Sequence, residues 1–222
     1  IDDYDKGLDY IKSAYPYESD EIETAYEEID ELVKGGYLLT DNVEEGDLNY
    51  NESGIIKALC LHVSHDCDLN CRYCFASGGN FKGERRIMDL ETGKKALDFL
   101  VANSGNRRNL EVDFFGGEPL LNFDVVKDLT FYGMELNDKY DKNIRFTLTT
   151  NGTHLDDEKI DFINKYMSNV VLSIDGRKEV NDYMRPNRGG KGTYDTIVPK
   201  FQKLIKERGD KEYYICLLYT SP

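Results

Sequence analysis

The sequence has no apolar run long enough to cross a membrane, and cysteine is scarce. No stretch of the 222 residues approaches the roughly 18 consecutive apolar residues of a membrane-spanning helix. Nothing at the start is typical of a secretory signal peptide. The five cysteines are an odd number with tight local spacing, which argues against the disulfide framework of a small secreted protein. We therefore expect a cytoplasmic protein in a reducing compartment, without a membrane partner.

Basic residues are nearly absent from the first quarter of the chain. Residues 1–52 carry 17 acidic and 3 basic side chains and account for the whole net charge of −14, whereas the remaining residues carry 25 of each sign. Because an acidic segment repels nucleic-acid phosphates, we expect no nucleic-acid partner. A solvated acidic face that only aids solubility is an open alternative. With 40% hydrophobic and 12% aromatic residues, the chain is typical of a folded protein with a sizeable core.

The first quarter predicts two helices and a short strand. One helix is expected before Pro16, and residues 20–34 place apolar side chains on one helical face before a pair of glycines ends the helix. The segment YLLT at residues 37–40 predicts a short strand. Residues 41–55 are polar, acidic and poor in apolar side chains, which is typical of a linker. The order helix, helix, strand matches the back end of a small winged-helix module.

From Lys57 onward, strand-like and helix-like segments alternate. Strands are predicted at residues 57–64, 109–115, 144–150, 169–176 and 212–220. Helices are predicted at residues 89–105, 122–140, 156–167 and 193–209, with Asp89 as a cap. This alternation predicts an α/β fold with right-handed βα units around a mostly parallel sheet. Because functional loops lie at the carboxyl ends of parallel strands, the motifs that follow four of these strands are expected to share one mouth.

Three cysteines follow the first strand in the segment SHDCDLNCRYCFASGG. Cys67, Cys71 and Cys74 are separated by three and then two residues, and clustered thiolates favour zinc or an iron–sulfur cluster. Structural zinc needs a fourth ligand, for which the nearby donors are His62, His65 and Asp66. A cubane cluster held by three cysteines instead leaves one iron free to bind an external molecule. Both interpretations are open from the spacing alone.

The pattern Cys-x3-Cys-x-aromatic-Cys after a first strand resembles the radical S-adenosylmethionine (SAM) superfamily. The resemblance implies that Cys67, Cys71 and Cys74 hold a [4Fe–4S] cluster, and that SAM chelates the open iron through its amino and carboxylate groups. It also implies reductive cleavage of SAM to a 5′-deoxyadenosyl radical that abstracts hydrogen. Tyr73 occupies the superfamily's aromatic position near the cluster and the adenine.

Four further segments resemble SAM-binding loops of the same superfamily. The resemblance implies cofactor contacts for Gly116, Gly117, Glu118 and Pro119 of GGEP, Thr150 and Asn151 of TTNGT, Ser173 and Asp175 of SIDG, and Arg185 of NDYMRP. GGEP resembles the loop that accepts hydrogen bonds from the SAM amino group, and glycine lets backbone approach a ligand closely. Ser173 matches a residue that meets the ribose, and Arg185 matches an arginine directed at the SAM carboxylate. Tight turns, a strand cap and a surface arginine are the alternative interpretations.

Within the superfamily, the sequence resembles peptide maturases of the SPASM group. The run NSGNRRNLEVDFFGGEPLLNFDVVK, with LHVSHDCDLNCRYCFASGG, resembles the SCIFF maturases of that group. Those enzymes join a cysteine sulfur to a neighbouring residue's α-carbon in a cysteine-rich precursor peptide, whose leader binds a winged-helix element as an added strand. The implied partners are this peptide and a reductant such as flavodoxin or ferredoxin. Two alternatives are an anaerobic sulfatase-maturating enzyme and a non-catalytic iron–sulfur or zinc module.

The expected fold is a partial (β/α)6 radical SAM barrel, truncated at about the fifth strand and preceded by the remnant of a winged-helix peptide-recognition element. Residues 1–45 are assigned to that element, 46–56 to a linker, 57–215 to the barrel and 216–222 to a tail that does not continue the family pattern. Auxiliary [4Fe–4S] clusters are expected only in a missing C-terminal region, so we expect an enzyme whose 222-residue fragment is inactive on peptide. Because the chain starts at Ile1, we also expect a truncated N-terminus. Cys60 is expected to be buried in the first strand, and Cys216 is not expected to be a ligand.

Overall fold

The computed structural model describes residues 4–14, 19–36, 38 and 54–217. The chain divides into two compact units, residues 1–53 and 54–222. The boundary lies inside the predicted linker 46–56. The part of that linker before residue 54 lies outside the described residues. Within the described ranges, no helix has the length and apolarity needed to span a bilayer.

The first unit contains two helices, α1 (Tyr4–Ala14) and α2 (Ser19–Lys34). Ile22 of α2 is buried, and an ion pair joins Lys12 of α1 to Glu23 of α2. Gly36 follows α2 with a φ of +72°, a conformation that ends helices. Both predicted helices are therefore confirmed. The predicted strand at residues 37–40 lies outside the described residues except for Leu38, so the winged-helix assignment stays a prediction.

The second unit is built on a five-stranded parallel sheet. Its strands are β1 (Ala58–Ser64), β2 (Asn109–Gly116), β3 (Asn143–Thr150), β4 (Asn169–Ser173) and β5 (Tyr214–Cys216). They lie in the order β1-β2-β3-β4-β5, and every neighbouring pair is parallel. A sequential parallel order is typical of a (β/α) barrel wall rather than of a doubly wound sheet, whose strand order reverses. The expected fold class is confirmed.

Helices alternate with these strands and cover one face of the sheet. They are α3 (Leu90–Ala102), α4 (Phe123–Tyr140) after a short 3-10 turn (Pro119–Asn122), α5 (Asp157–Tyr166), α6 (Lys178–Met184) and α7 (Tyr194–Arg208). Asp89 caps α3 by accepting a hydrogen bond from the Thr92 amide (2.7 Å), as predicted. The short polar helix α6 was not predicted. Its C-cap, Arg185, lines the site described below.

The strands bury one face and leave the other partly open. In β2, Leu110, Val112 and Phe114 are buried in the core between the sheet and the helices, whereas the alternate residues are half-exposed. This alternation corrects the expectation for Cys60, which is exposed. Cys60 lies on the open face of β1 because its neighbours Leu59 and Leu61 point to the helices.

Candidate cluster and cofactor site

A long loop (residues 65–87), the cysteine loop, leaves the carboxyl end of β1 and returns to it. Its two ends are joined where Ser64 and Ile87 form an antiparallel bridge. Asn122 also joins the two ends of the loop, because its buried side-chain amide donates to the carbonyls of Val63 and Met88, both at 2.9 Å. The bridge and these hydrogen bonds therefore fix where the cysteine loop begins and ends relative to the sheet.

The three cysteines of this loop are free thiols that line one cavity of about 200 Å³. Cys67 is buried, and Cys71 and Cys74 are half-buried. The Cys67 Sγ accepts contacts from the Leu69 amide at 3.4 Å and from the Asn151 Nδ2 at 3.6 Å. The Cys74 Sγ accepts from the Gly78 amide at 3.4 Å. Such N–H···S contacts stabilise sulfur that carries negative charge, as in a metal-bound thiolate.

The donor set fits a cluster better than a single ion. Within the described ranges, no three His, Cys, Asp or Glu side chains are grouped as ligands of one metal ion would be. In a cubane cluster each cysteine binds a different iron, so the three sulfurs need not meet at one point. Burial raises the pKa of Cys67 to about 12 and also raises the pKa of Cys71. These thiols are therefore protonated in the metal-free chain, and loading them releases protons.

Two glycines of GGEP pack their backbone directly on the cysteine loop. The Gly117 amide donates to the Ser64 carbonyl and the Glu118 amide to the Asp66 carbonyl, both at 2.8 Å. A Cβ on Gly117 would lie 2.2 Å from the Asp66 oxygen, and one on Gly116 would lie 2.3 Å from the Ser64 oxygen. The close approach that requires glycine is thus between two protein segments, whereas the sequence predicted an approach to a ligand.

Glu118 is completely buried beside this contact, and its carboxylate joins the ends of β2 and β3. It accepts hydrogen bonds from the amides of Leu120 (3.0 Å) and Asn151 (2.8 Å) and from the Thr150 hydroxyl (2.8 Å). Burial raises the pKa of Glu118 to about 7, against the effect of those donors. The Glu118 carboxylate therefore already accepts its hydrogen bonds from protein groups.

A chain of hydrogen bonds joins Tyr73 and Arg185, which line the cavity, to Asp175 beside it. Arg185 donates from Nη1 to the Tyr73 hydroxyl (2.7 Å), which donates to Asp175 Oδ2 (2.6 Å). Burial and the bond to Asp175 raise the pKa of Tyr73. Among the described residues, the buried Arg185 Nε and Asp175 Oδ1 have no hydrogen-bond partner. A buried guanidinium nitrogen without an acceptor, at the edge of the cysteine cavity, fits a carboxylate ligand such as that of SAM.

Most of the predicted site residues meet at this cavity. Besides the three cysteines, its lining includes Tyr73, Gly116, Gly117, Thr150, Asn151, Ser173 and Arg185. The predicted residues Glu118, Pro119 and Asp175 are buried beside the cavity without lining it. Cys216, at the end of β5, does line it. Their roles in cofactor binding stay predictions.

Sequence reasoning missed several contributors to the site, among them Phe75, Phe115 and Asp68. Phe75 and Phe115 line the cavity, and Phe75 is 74% exposed although it adjoins the third cysteine. Asp68 lies inside the cysteine loop and accepts from Asn151 Nδ2 at 3.0 Å. Burial alone would raise the pKa of Asp68, but the His154 ring, whose Nε2 lies 3.5 Å from Asp68 Oδ2, and the Asn151 amide lower it to about 2. No spacing in the sequence indicates Asp68, because its contact with Asn151 of TTNGT joins two loops that are far apart in sequence.

Comparison with known proteins gives one family over most of the second unit. Residues 61–220 match the Radical SAM superfamily. An uncharacterized protein of Methanocaldococcus jannaschii is 39% identical over 144 residues, which is 64% of this chain and 46% of that protein. The radical SAM cyclopropyl synthase TigE of Paramaledivibacter caminithermalis is 29% identical over 180 residues, covering 75% of this chain and 36% of the relative.

Sulfatase maturases are similar both in sequence and in structure. The cysteine-type anaerobic sulfatase-maturating enzyme of Clostridium perfringens is 31% identical over 177 residues, covering 75% of this chain and 45% of the enzyme. The solved structure of native anSMEcpe with bound AdoMet (SAM) and the Cp18Cys peptide superposes with a TM-score of 0.63 and 26% identity, covering 73% of this chain and 43% of that one. The chain spans less than half the length of each of these relatives.

Proposed function

The chain belongs to the radical SAM superfamily, and from that premise we propose that it is a SCIFF-type peptide maturase that forms thioether cross-links in a cysteine-rich ribosomal precursor peptide. The superfamily's cofactors are a [4Fe–4S] cluster and SAM. When bound, they supply reductive cleavage of SAM and a radical that removes a hydrogen atom from the substrate.

One observation carries the enzymatic part of the proposal: three free thiols and a buried, unpartnered Arg185 Nε meet at one cavity. Cys67, Cys71 and Cys74 would hold the cluster. Arg185 would pair with the SAM carboxylate, and Tyr73 keeps the guanidinium oriented through its hydroxyl. A non-catalytic zinc or iron–sulfur module would not need a buried hydrogen-bond donor of this kind beside its ligands.

The acidic first unit favours thioether cross-linking over sulfatase maturation as the function. Its two helices and its high negative charge are consistent with an element that recognises a separate peptide leader. The precursor peptide, bound through its leader, is thus the proposed substrate. A flavodoxin or ferredoxin is the proposed source of electrons.

A second candidate function is anaerobic sulfatase maturation. It is favoured by the similarity to the Clostridium perfringens enzyme and to the peptide-bound anSMEcpe structure. The two candidates share the SAM chemistry and differ in the peptide and its product.

The enzymatic proposal is tested by anaerobic reconstitution with iron and sulfide, followed by reduction with dithionite in the presence of SAM. We expect 5′-deoxyadenosine to form. Cys71→Ala should lose the visible cluster absorbance, whereas the matched control Cys60→Ala, on the open face of β1, should keep it. Arg185→Gln should keep the absorbance and bind SAM about ten- to a hundredfold more weakly, because a charged hydrogen bond is lost.

The substrate is tested by incubating the full gene product, with the expected auxiliary-cluster region, with a cysteine-rich precursor peptide or with a sulfatase-derived peptide. A thioether product has lost two hydrogen atoms per cross-link, which mass spectrometry detects. Formylglycine on the sulfatase peptide, with no thioether on the other, would favour the second candidate. Absence of 5′-deoxyadenosine from a cluster-loaded protein would contradict both.

A further inference from the structure

Asn151 joins the loop after β3 to a sulfur atom of the cysteine loop. Its buried side-chain amide donates from Nδ2 to the Cys67 Sγ at 3.6 Å. Among the described residues, the other donors to a cysteine sulfur are the backbone amides of Leu69 and Gly78, which belong to the cysteine loop itself. Within that part of the chain, Asn151 is therefore the one side chain that brings an N–H group from another element to a proposed cluster ligand.

The other hydrogen bonds of this amide fix its orientation. Its Oδ1 accepts from the Thr153 backbone amide at 2.9 Å and from the Thr153 hydroxyl at 2.6 Å, and its Nδ2 also donates to Asp68 Oδ1 at 3.0 Å. An amide oxygen accepts two hydrogen bonds and an amide nitrogen donates two, so every hydrogen-bonding position of the side chain is in use. A flipped amide would turn its oxygen toward the Asp68 carboxylate, which cannot donate when ionised. The second N–H group is thus held at the sulfur.

The two neighbours of the amide are themselves held in place. The Asn151 backbone N–H donates to Glu118 Oε2 at 2.8 Å, which fixes the turn against the end of β2. Asp68 Oδ2 lies 3.5 Å from the His154 Nε2, and the Asp68 carbonyl accepts from the Arg188 amide at 3.1 Å. A donor whose supports are fixed in this way does not have to reorient when the charge on the sulfur changes.

We propose that Asn151 is a positioning residue that raises the reduction potential of the cluster by donating a hydrogen bond to Cys67. The inference rests on the proposed cluster site. Reduction adds one electron to the cluster, and part of its negative charge spreads onto the cysteine sulfurs. A hydrogen bond to such a sulfur therefore stabilises the reduced state more than the oxidised state, and hydrogen bonds to the sulfurs are among the factors that set these potentials.

The test is a potentiometric titration of the anaerobically reconstituted protein with dithionite and redox mediators, without SAM. The reduced cluster is followed by electron paramagnetic resonance. Asn151→Ala removes the donor and should shift the equilibrium constant for reduction about tenfold toward the oxidised state, which lowers the midpoint potential of a one-electron couple by about 59 mV. Asn151→Asp keeps an oxygen for the Thr153 donors but loses the N–H group, and should lower the potential at least as far.

The matched control is another asparagine of the cysteine loop. The Asn80 side chain makes its hydrogen bonds within that loop, to the Gly83 carbonyl at 3.0 Å and from the Lys82 amide at 3.3 Å. Asn80→Ala therefore disturbs the loop without touching a sulfur. We expect it to leave the midpoint potential unchanged.

Three outcomes would overturn the proposal. One is an unchanged potential in both Asn151 variants at full iron content. The second is loss of cluster loading in both, which would make Asn151 necessary for assembling the site. The third is an equal shift in Asn80→Ala, which would trace the effect to a disturbed loop. Because the measurement needs no SAM, failure of the proposed enzymatic function would show separately, as absent 5′-deoxyadenosine in a protein whose cluster is still reduced.

Discussion

At the scale of single residues, Glu118 combines complete burial with three hydrogen-bond donors, and burial has the larger effect. Its folded-state pKa of about 7 lies above its ordinary value of 4.5. A carboxyl whose pKa is raised by folding stabilises the folded state below its unfolded pKa. That stabilisation is lost as the pH rises through the folded pKa.

We predict that the free energy of unfolding of the metal-free chain depends on Glu118 between about pH 5 and about pH 8. Relative to Glu118→Gln, which cannot ionise, the natural protein should lose up to about 3 kcal/mol over that range, since each pKa unit corresponds to about 1.4 kcal/mol. Urea unfolding at both pH values measures the difference. Parallel pH profiles for the two proteins would contradict the prediction.

At the scale of elements, the contact between GGEP and the cysteine loop depends on the absence of side chains. The two backbones approach so closely that a Cβ on Gly117 would lie 2.8 Å from the Cα of Gly79 in the cysteine loop. The loop after β2 therefore sets the position of the cysteine loop.

We predict that Gly117→Ala displaces the cysteine loop, because its Cβ would lie 2.2 Å from the Asp66 oxygen. The substitution should lower the iron content after reconstitution and cost about 1–3 kcal/mol of unfolding free energy, as overpacking does. The control Gly83→Ala lies in the same loop, where the nearest atom is the Asn80 oxygen at 3.4 Å. If both variants load the same amount of iron, the contact does not control the loop.

The sequence predicts the larger part of this arrangement because strand ends and cysteine spacing are local signals. The four loops that follow β1 to β4 do converge, as parallel topology requires. Cys60 was misjudged because an apolar strand gives no indication that only one of its faces is packed. The role of Glu118 could not be predicted, since its partners Thr150 and Asn151 lie more than thirty residues away. The helix α6 has seven residues, too few for a helical periodicity to stand out.

At the scale of the whole molecule, the net negative charge and the predicted cofactor-binding residues lie in different units. Residues 1–52 account for the entire net charge of −14, whereas every predicted cofactor residue belongs to the second unit. The second unit also has its own hydrophobic core, built from β1 to β4 and helices α3, α4, α5 and α7.

We predict that removing residues 1–53 leaves cluster loading and SAM cleavage intact but weakens binding of the precursor leader by at least about tenfold, a loss of about 1.4 kcal/mol or more. Iron content, 5′-deoxyadenosine formation and titration with a leader peptide measure the three properties. Unchanged leader affinity would contradict the recognition role, and loss of cluster loading would show that the second unit depends on the first.

The glycine contact between GGEP and the cysteine loop has a consequence for the repair of an oxygen-damaged cluster. Because backbone hydrogen bonds hold the loop at Ser64 and Asp66 without any help from the thiols, we expect the cluster site to keep its shape without metal. Oxygen that destroys the inorganic core would leave a protein that needs only fresh iron and sulfide, rather than a new round of folding. This differs from small zinc domains, in which loss of the metal unfolds the chain.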